Sequence, residues 1–175
     1  MADWSILANI AKSLIPVQNL ITGGAYLMGI GFAIKALTSL KQHASTASSS
    51  GSSSSIKEPM MYLMVAGMLI YFPTGFDVLM NTTFGYSTVL SYSDTSAMGM
   101  WIGGDTQLGN ALTIIIQTVG LYAFVKGWVL VARSASTGQP PGGTGKGLTH
   151  VFGGILAVNI VGTLEMINNT LLGTG

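Results

Sequence analysis

The sequence predicts an all-α integral membrane protein whose four transmembrane helices form two tandem helical hairpins, and three observations carry that prediction. Charged residues make up 7% of the 175, with 7 Lys/Arg and 6 Asp/Glu, where soluble domains carry about 25%. Four stretches lack Asp, Glu, Lys and Arg: Ser13 to Ile34, Pro59 to Phe76, Thr106 to Val125 and Gly147 to Leu164, of 22, 18, 20 and 18 residues. Two segments placed 88 positions apart repeat one another. The charge deficit argues against a water-soluble domain, which stays dispersed through a charged surface. A net charge of +1 supplies no field for nucleic acid, and no direct nucleic-acid binding is expected. With no cysteine in the chain, disulfides, thiolate metal sites and cysteine nucleophiles are excluded.

Trp4, Leu7, Ala11 and Leu14 recur at helical spacing among Asp3, Ser5, Asn9 and Lys12, which predicts an amphipathic helix over residues 1–15 lying on the membrane interface. Pro16 offers a break before the first span. The opening MADW carries an acid and no basic residue, and no A-x-A site follows the apolar run, so a cleaved signal peptide is not expected. Residues 16–90 then make the first membrane hairpin with a Ser-rich cytoplasmic loop, 91–106 a periplasmic loop, and 107–175 the second hairpin with a Gly/Pro-rich cytoplasmic loop. A hydrocarbon core of about 30 Å needs about 20 apolar residues, with about 17 as the lower limit. The second and fourth spans are therefore marginal. One carries Pro73, the other His150, Asn159 and paired glycines, so both are expected to lean on neighbouring helices.

Basic residues assign the sides. Lys35, Lys41 and Lys57 fall between spans one and two, and Lys126, Arg133 and Lys146 between spans three and four. The loop from Asp77 to Asp105 has no Lys or Arg and holds Asp77, Asp94 and Asp105. Both basic loops are expected in the cytoplasm and both termini in the periplasm, with Lys12 alone pointing the other way. Trp4 and Trp101 are expected at the far interface and Trp128 at the cytoplasmic one.

The repeat is read from Asp77-Val-Leu-Met-Asn-Thr-Thr-Phe-Gly85 and Glu165-Met-Ile-Asn-Asn-Thr-Leu-Leu-Gly173, which align without a gap. Ala66-Gly-Met-Leu69 resembles Gly153-Gly-Ile-Leu156 with one residue of slippage, and Lys35 parallels Lys126. Both halves begin on the same face, so the repeat is parallel rather than inverted. The first loop, Ser45 to Ser55, has nothing to bury and reads as a tether. The second, Ser134 to Gly147, has a Pro pair and a Gly pattern that predict a shaped turn.

Little in the chain offers chemistry. Gly142-Gly-Thr-Gly-Lys-Gly147 departs from the phosphate-binding loop, which needs Gly where Pro140 stands and Ser or Thr where Gly147 stands. His150 lies three residues into the fourth span, where packing or an interface contact is expected rather than a proton relay. His43 and His150 alone do not make a metal site. Asp77, Asp94 and Asp105 fit neither a helical face nor a calcium loop. No enzyme activity, cofactor or metal is expected. Small residues every four positions do stand out as helix-packing candidates: Ala25, Gly29 and Ala33, then Ala123 and Gly127, then Gly153 and Ala157. Candidates for partner contact are Pro140, Pro141, Gly142, Lys146 and His150.

Several longer blocks carry a resemblance. Ile56-Lys-Glu-Pro59, Met68-Leu-Ile-Tyr-Phe-Pro-Thr-Gly75, Asn81-Thr-Thr-Phe-Gly-Tyr-Ser87, Gly127-Trp-Val-Leu-Val-Ala-Arg-Ser-Ala-Ser136, Gly138-Gln-Pro-Pro-Gly-Gly-Thr-Gly-Lys-Gly147 and His150-Val-Phe-Gly-Gly-Ile-Leu-Ala-Val-Asn159 together resemble the DotE/IcmC and TraQ family. The Ser-rich loop and Tyr92 to Asn110 match poorly. The resemblance implies a small inner-membrane component of a type IVB secretion or conjugation apparatus, with other membrane subunits and lipid as partners and an oligomeric state. The short middle loop and Ser-rich insert look more like the conjugative branch. Each half also looks like a two-helix pilin of the simpler type IV systems, so a subunit that polymerises into an extracellular pilus is the alternative. A small transporter is disfavoured, because it needs a membrane-embedded carboxylate, while Asp77 and Glu165 fall at span ends.

Overall fold

The computed structural model describes residues 5–47, 56–85, 106–136 and 142–173, all of them helical apart from short caps and turns. The helices are α1 (Ser5–Ala47), α2 (Lys57–Ile70), α3 (Phe72–Phe84), α4 (Thr106–Ser134), α5 (Gly143–Val158) and α6 (Ile160–Leu172). α1 and α4 are long and apolar enough to cross a bilayer, while α2 with α3 and α5 with α6 form pairs bent by 92° and 90°. The described residues thus offer two straight candidate spans, or four if each bent pair counts as one.

α2 returns along α1 and α5 returns along α4, each antiparallel to its partner. On the first pair Gly29 lies against Ile70 and the Lys35 ammonium stands 4.4 Å from the Tyr62 ring centroid. On the second, Gly120 lies against Val158 and Gly127 against Gly147 and Val151. The two pairs sit side by side through α1 and α4, and α2 also packs on α4. Gln18 Nε2 donates to Thr118 Oγ1 at 2.8 Å, and the Tyr62 hydroxyl shares a hydrogen bond with Ser136. The core gathers where the pairs meet: Tyr62, Val65 and Leu69 of α2, Phe72, Phe76 and Met80 of α3, Phe124, Trp128 and Val131 of α4, and Ile155 of α5. Phe124 is its centre, meeting Phe72, Phe76 and Trp128 edge-on at centroid distances of 5.5, 5.1 and 6.2 Å, the arrangement the aromatic quadrupole favours.

Three expectations are corrected. α1 runs without a break through Pro16; a proline removes one backbone donor, which a 43-residue helix absorbs. Pro59 to Phe76 and Gly147 to Leu164 are not straight, because each is interrupted, at Tyr71 and at Asn159. Gly143 to Gly147 form the first turn of α5 rather than a loop, with Gly142 ahead of them at φ 99°, a conformation glycine adopts without a Cβ clash. Trp128 is packed inside the bundle at 6% exposure, edge-on to Phe124. Asp3, Trp4, Asp94, Trp101, Asp105, Pro140 and Pro141 lie outside the described residues, as do most of 91–106 and most of the Ser-rich stretch 45–55.

Candidate functional site

The two bends are the most specific feature of the chain, and different local chemistry makes them. In the first, Pro73 sits in the opening turn of α3, a position where its missing N–H costs nothing but which an unbroken helix would place in its interior. Tyr71 leaves helical geometry at φ −92°, ψ 31°, and its N–H donates to Gly67 O at 2.9 Å. The chain then restarts, with Gly75 N–H donating to Tyr71 O at 2.7 Å. In the second, no proline intervenes. Asn159 breaks at φ −102°, ψ 54°, and its side-chain oxygen accepts from Gly162 N–H at 3.3 Å, as a capping Asn does. Thr163 Oγ1 donates to Leu156 O and Asn159 O, both at 2.9 Å. At the second break side chains thus take over part of the backbone bonding that the interrupted helix gives up.

The backbone landmarks of the first bend recur 88 positions on in the second. Tyr71 corresponds to Asn159, Gly67 O to Ile155 O, Gly75 N–H to Thr163 N–H. α3 and α6 both have 13 residues, and they end on Gly85 and Gly173 at φ 79° and 63°, their N–H groups donating to Asn81 O and Asn169 O. The long helices obey a different offset. A Cβ on Gly29 would meet Ile70 N at 2.9 Å, and one on Gly120 would meet Val158 N at 2.7 Å, so α1 maps onto α4 with a shift of 91. That shift also superposes Lys35 on Lys126. The bends therefore lie opposite points six residues before these lysines, about 9 Å along the helix axis.

α4 and α5 meet through glycines at seven-residue spacing. Added Cβ atoms would approach as follows: Gly127 to Gly147 O at 2.7 Å, Gly147 to Val131 N at 2.8 Å, Gly154 to Phe124 N at 2.7 Å. The two backbones are thus in direct contact. Among the packing candidates, Ala25 is fully buried, Gly29 and Gly127 are at helix contacts, and the Ala157 methyl lies 2.8 Å from where a Gly120 Cβ would stand. Ala33 and Ala123 are half-buried. Gly153 has open space around it; its neighbour Gly154 faces α4 instead. The paired spacing of Gly120 with Gly127 and of Gly147 with Gly154 is the sequence signal that identifies this seam.

Gly142, Lys146 and His150 occupy the start of α5, where His150 Nδ1 lies 2.8 Å from Lys146 O. Asp77 and Glu165 are exposed on α3 and α6. Glu165, Asn169 and Thr170 face Thr83 and Phe84 across an open cleft of about 450 Å³. Among the described residues, no group of three His, Cys, Asp or Glu could hold a metal ion. What the molecule presents outward is apolar: Leu20, Leu27, Ile34 and Leu37 of α1 are 74, 69, 59 and 64% exposed. No family model matches the chain, and neither curated proteins nor solved structures give a match.

Proposed function

We propose that this chain is a non-enzymatic inner-membrane component of a type IVB secretion or conjugative DNA-transfer apparatus, acting through helix packing and subunit assembly. The observation that carries the reading is α1. Its 43 residues measure about 65 Å against a hydrocarbon core of about 30 Å, and it turns leucines and isoleucines outward along most of that length. Such a face needs lipid or other subunits around it. The sequence blocks that resemble the DotE/IcmC and TraQ family supply the apparatus. In this reading the bent pairs are broken spans, giving four crossings, two basic cytoplasmic turns and periplasmic termini.

A pilin-like subunit is the second reading, favoured by one observation: two helical pairs of the same build lie side by side in one chain. The test is to shear filaments from donor cells, separate the membranes and probe each fraction for the chain. Confinement to the inner membrane in a complex of few copies supports the component reading. Abundance in the filaments supports the pilin. Absence from both fractions overturns the two together.

A further inference from the structure

The two bent helices differ in what covers them. In the first repeat the apolar face of α3 is shut: Phe72, Phe76 and Met80 are buried, and the two phenylalanines lie edge-on against Phe124. Phe124 belongs to α4, the first helix of the second repeat. The corresponding positions on α6, 88 further on, are Ile160, Leu164 and Asn168, all only half-buried. Beside them Ile167, Leu171 and Leu172 are 41, 75 and 70% exposed. α6 packs against α4 and α5, the helices of its own repeat, and among the described residues no helix of a further repeat covers it.

The repeats meet chiefly through α1 and α4, and beyond that contact the packing runs head to tail. α2 packs on α4 and α3 meets Phe124, whereas among the described residues α5 and α6 make no comparable packing on α1. An interface between unlike surfaces leaves one half unused at each end, and copies can add there to make rings or open rows. The unused acceptor can be located. With the shift of 91 that maps Gly29 onto Gly120 and Lys35 onto Lys126, the counterpart of Phe124 is Ala33 of α1. Ala33 is half-buried and flanked by Ile30, Ile34 and Leu37, which are exposed. α1 is also the less covered of the two long helices, with 17% of an apolar 18-residue window buried against 39% for α4.

We propose that α6 of one chain docks over Ala33 on α1 of a second copy, continuing between chains the contact that α3 makes with Phe124 within the chain. The two surfaces suit each other. Ile160 and Leu164 replace the aromatic pair of α3, Ala33 replaces an aromatic on the long helix, and a small residue lets helix backbones approach closely. Thr163 Oγ1, donating to Leu156 O, ties the start of α6 to the end of α5. At about 100° per residue, Ile160, Leu164, Ile167 and Leu171 share one side of the helix, and Glu165 and Asn169 lie on the other. The docking face is thus an apolar stripe along the helix, with Asn168 at its edge. The inference rests on the chain being a membrane subunit that assembles by helix packing, and not on which apparatus holds it.

The chain has no cysteine, so engineered thiols report only on themselves. Two full-length copies with different tags, one Ile167→Cys and the other Ala33→Cys, are co-expressed, the membranes isolated, and the thiols oxidised. Disulfides form only where Cα atoms come within about 7 Å. A dimer carrying both tags is expected, and a chain bearing both substitutions should give a ladder. Leu63→Cys, exposed on α2, should give at least tenfold less dimer with Ile167→Cys. A second pair, Leu171→Cys with Ile30→Cys, serves if either first variant fails to accumulate. The proposal is overturned if membrane-bound copies give no mixed dimer with either pair while the thiol of Ile167→Cys or Leu171→Cys reacts with a lipid-phase probe, which would put lipid on this face. A chain absent from the membrane fraction overturns the membrane reading itself.

Discussion

Tyr71 and Asn159, 88 positions apart, end their helices against equivalent carbonyls and turn the chain by 92° and 90°. One is helped by a proline two residues on, the other caps with its own side chain. That the same angle is reached by different chemistry indicates that tertiary packing, not local sequence alone, sets the bend. Removing the local aid should then weaken a bend without straightening it. Asn159→Ala deletes the oxygen that accepts from Gly162 N–H and should cost about 1 kcal/mol, read as a lower denaturation midpoint in detergent. Circular dichroism should show unchanged helix content. A rise in helicity would mean that Asn159 alone holds the break.

The glycine seam gives a paired test on adjacent residues. Gly154→Ala places a methyl 2.7 Å from Phe124 N, too close to be accommodated without moving a backbone, and should destabilise by about 1 to 3 kcal/mol. Gly153→Ala enters open space and should be neutral or stabilise by about 0.5 to 1 kcal/mol through helix propensity. Thermal unfolding followed by tryptophan fluorescence separates them. Equal effects would contradict the packing of α5 on α4.

Between the repeats, Gln18 and Thr118 share a side-chain hydrogen bond. Thr118→Val keeps the shape and loses the acceptor. The expected cost is about 0.6 kcal/mol, with about 1.7 as the upper value, in the range found for hydrogen bonds between membrane helices. A double-mutant cycle with Gln18→Leu, measured by unfolding in detergent, isolates the pair. A coupling near zero would separate α1 from α4 at this level.

Topology reporters at Ser50, Ser96 and Gly143 test the sidedness. The expected pattern is cytoplasmic, periplasmic, cytoplasmic. A cytoplasmic signal at Ser96 would mean that α2 with α3 re-enters rather than crosses, which a bend of 92° about 9 Å from the level of Lys35 makes a direct alternative.

The helices, their pairing and the repeat were legible in the sequence because charge-free runs, basic turns and the gap-free match from Asp77 and Glu165 are one-dimensional signals. The bends were not. Pro59 to Phe76 and Gly147 to Leu164 contain no charge, so hydropathy reads each as one object, and Asn159 looks like any polar residue in a marginal span. Small-residue spacing identified Gly127 and Gly29 at contacts but chose Gly153 over Gly154. A period of four leaves two neighbouring registers open, and only the paired seven-residue spacing on α4 and α5 selects one. Pro16 misled in the opposite direction, because a long helix tolerates one missing donor.

The two offsets, 88 for the returning helices and 91 for the outgoing ones, mean that the path from close-packed glycine to bend is three residues shorter in the second pair than in the first. Since Gly29 still meets Ile70 and Gly120 still meets Val158, the difference is taken up beyond these contacts, mostly in how far the paired helices run past them, while the bend stayed level with its glycine. Length is therefore elastic at the basic end of each pair and fixed at the bent end. An epitope or a few residues inserted near Ser50 should leave the fold intact, whereas a single residue inserted between Tyr62 and Ile70 would rotate everything beyond it by about 100° and carry the apolar face of α3 off Phe124.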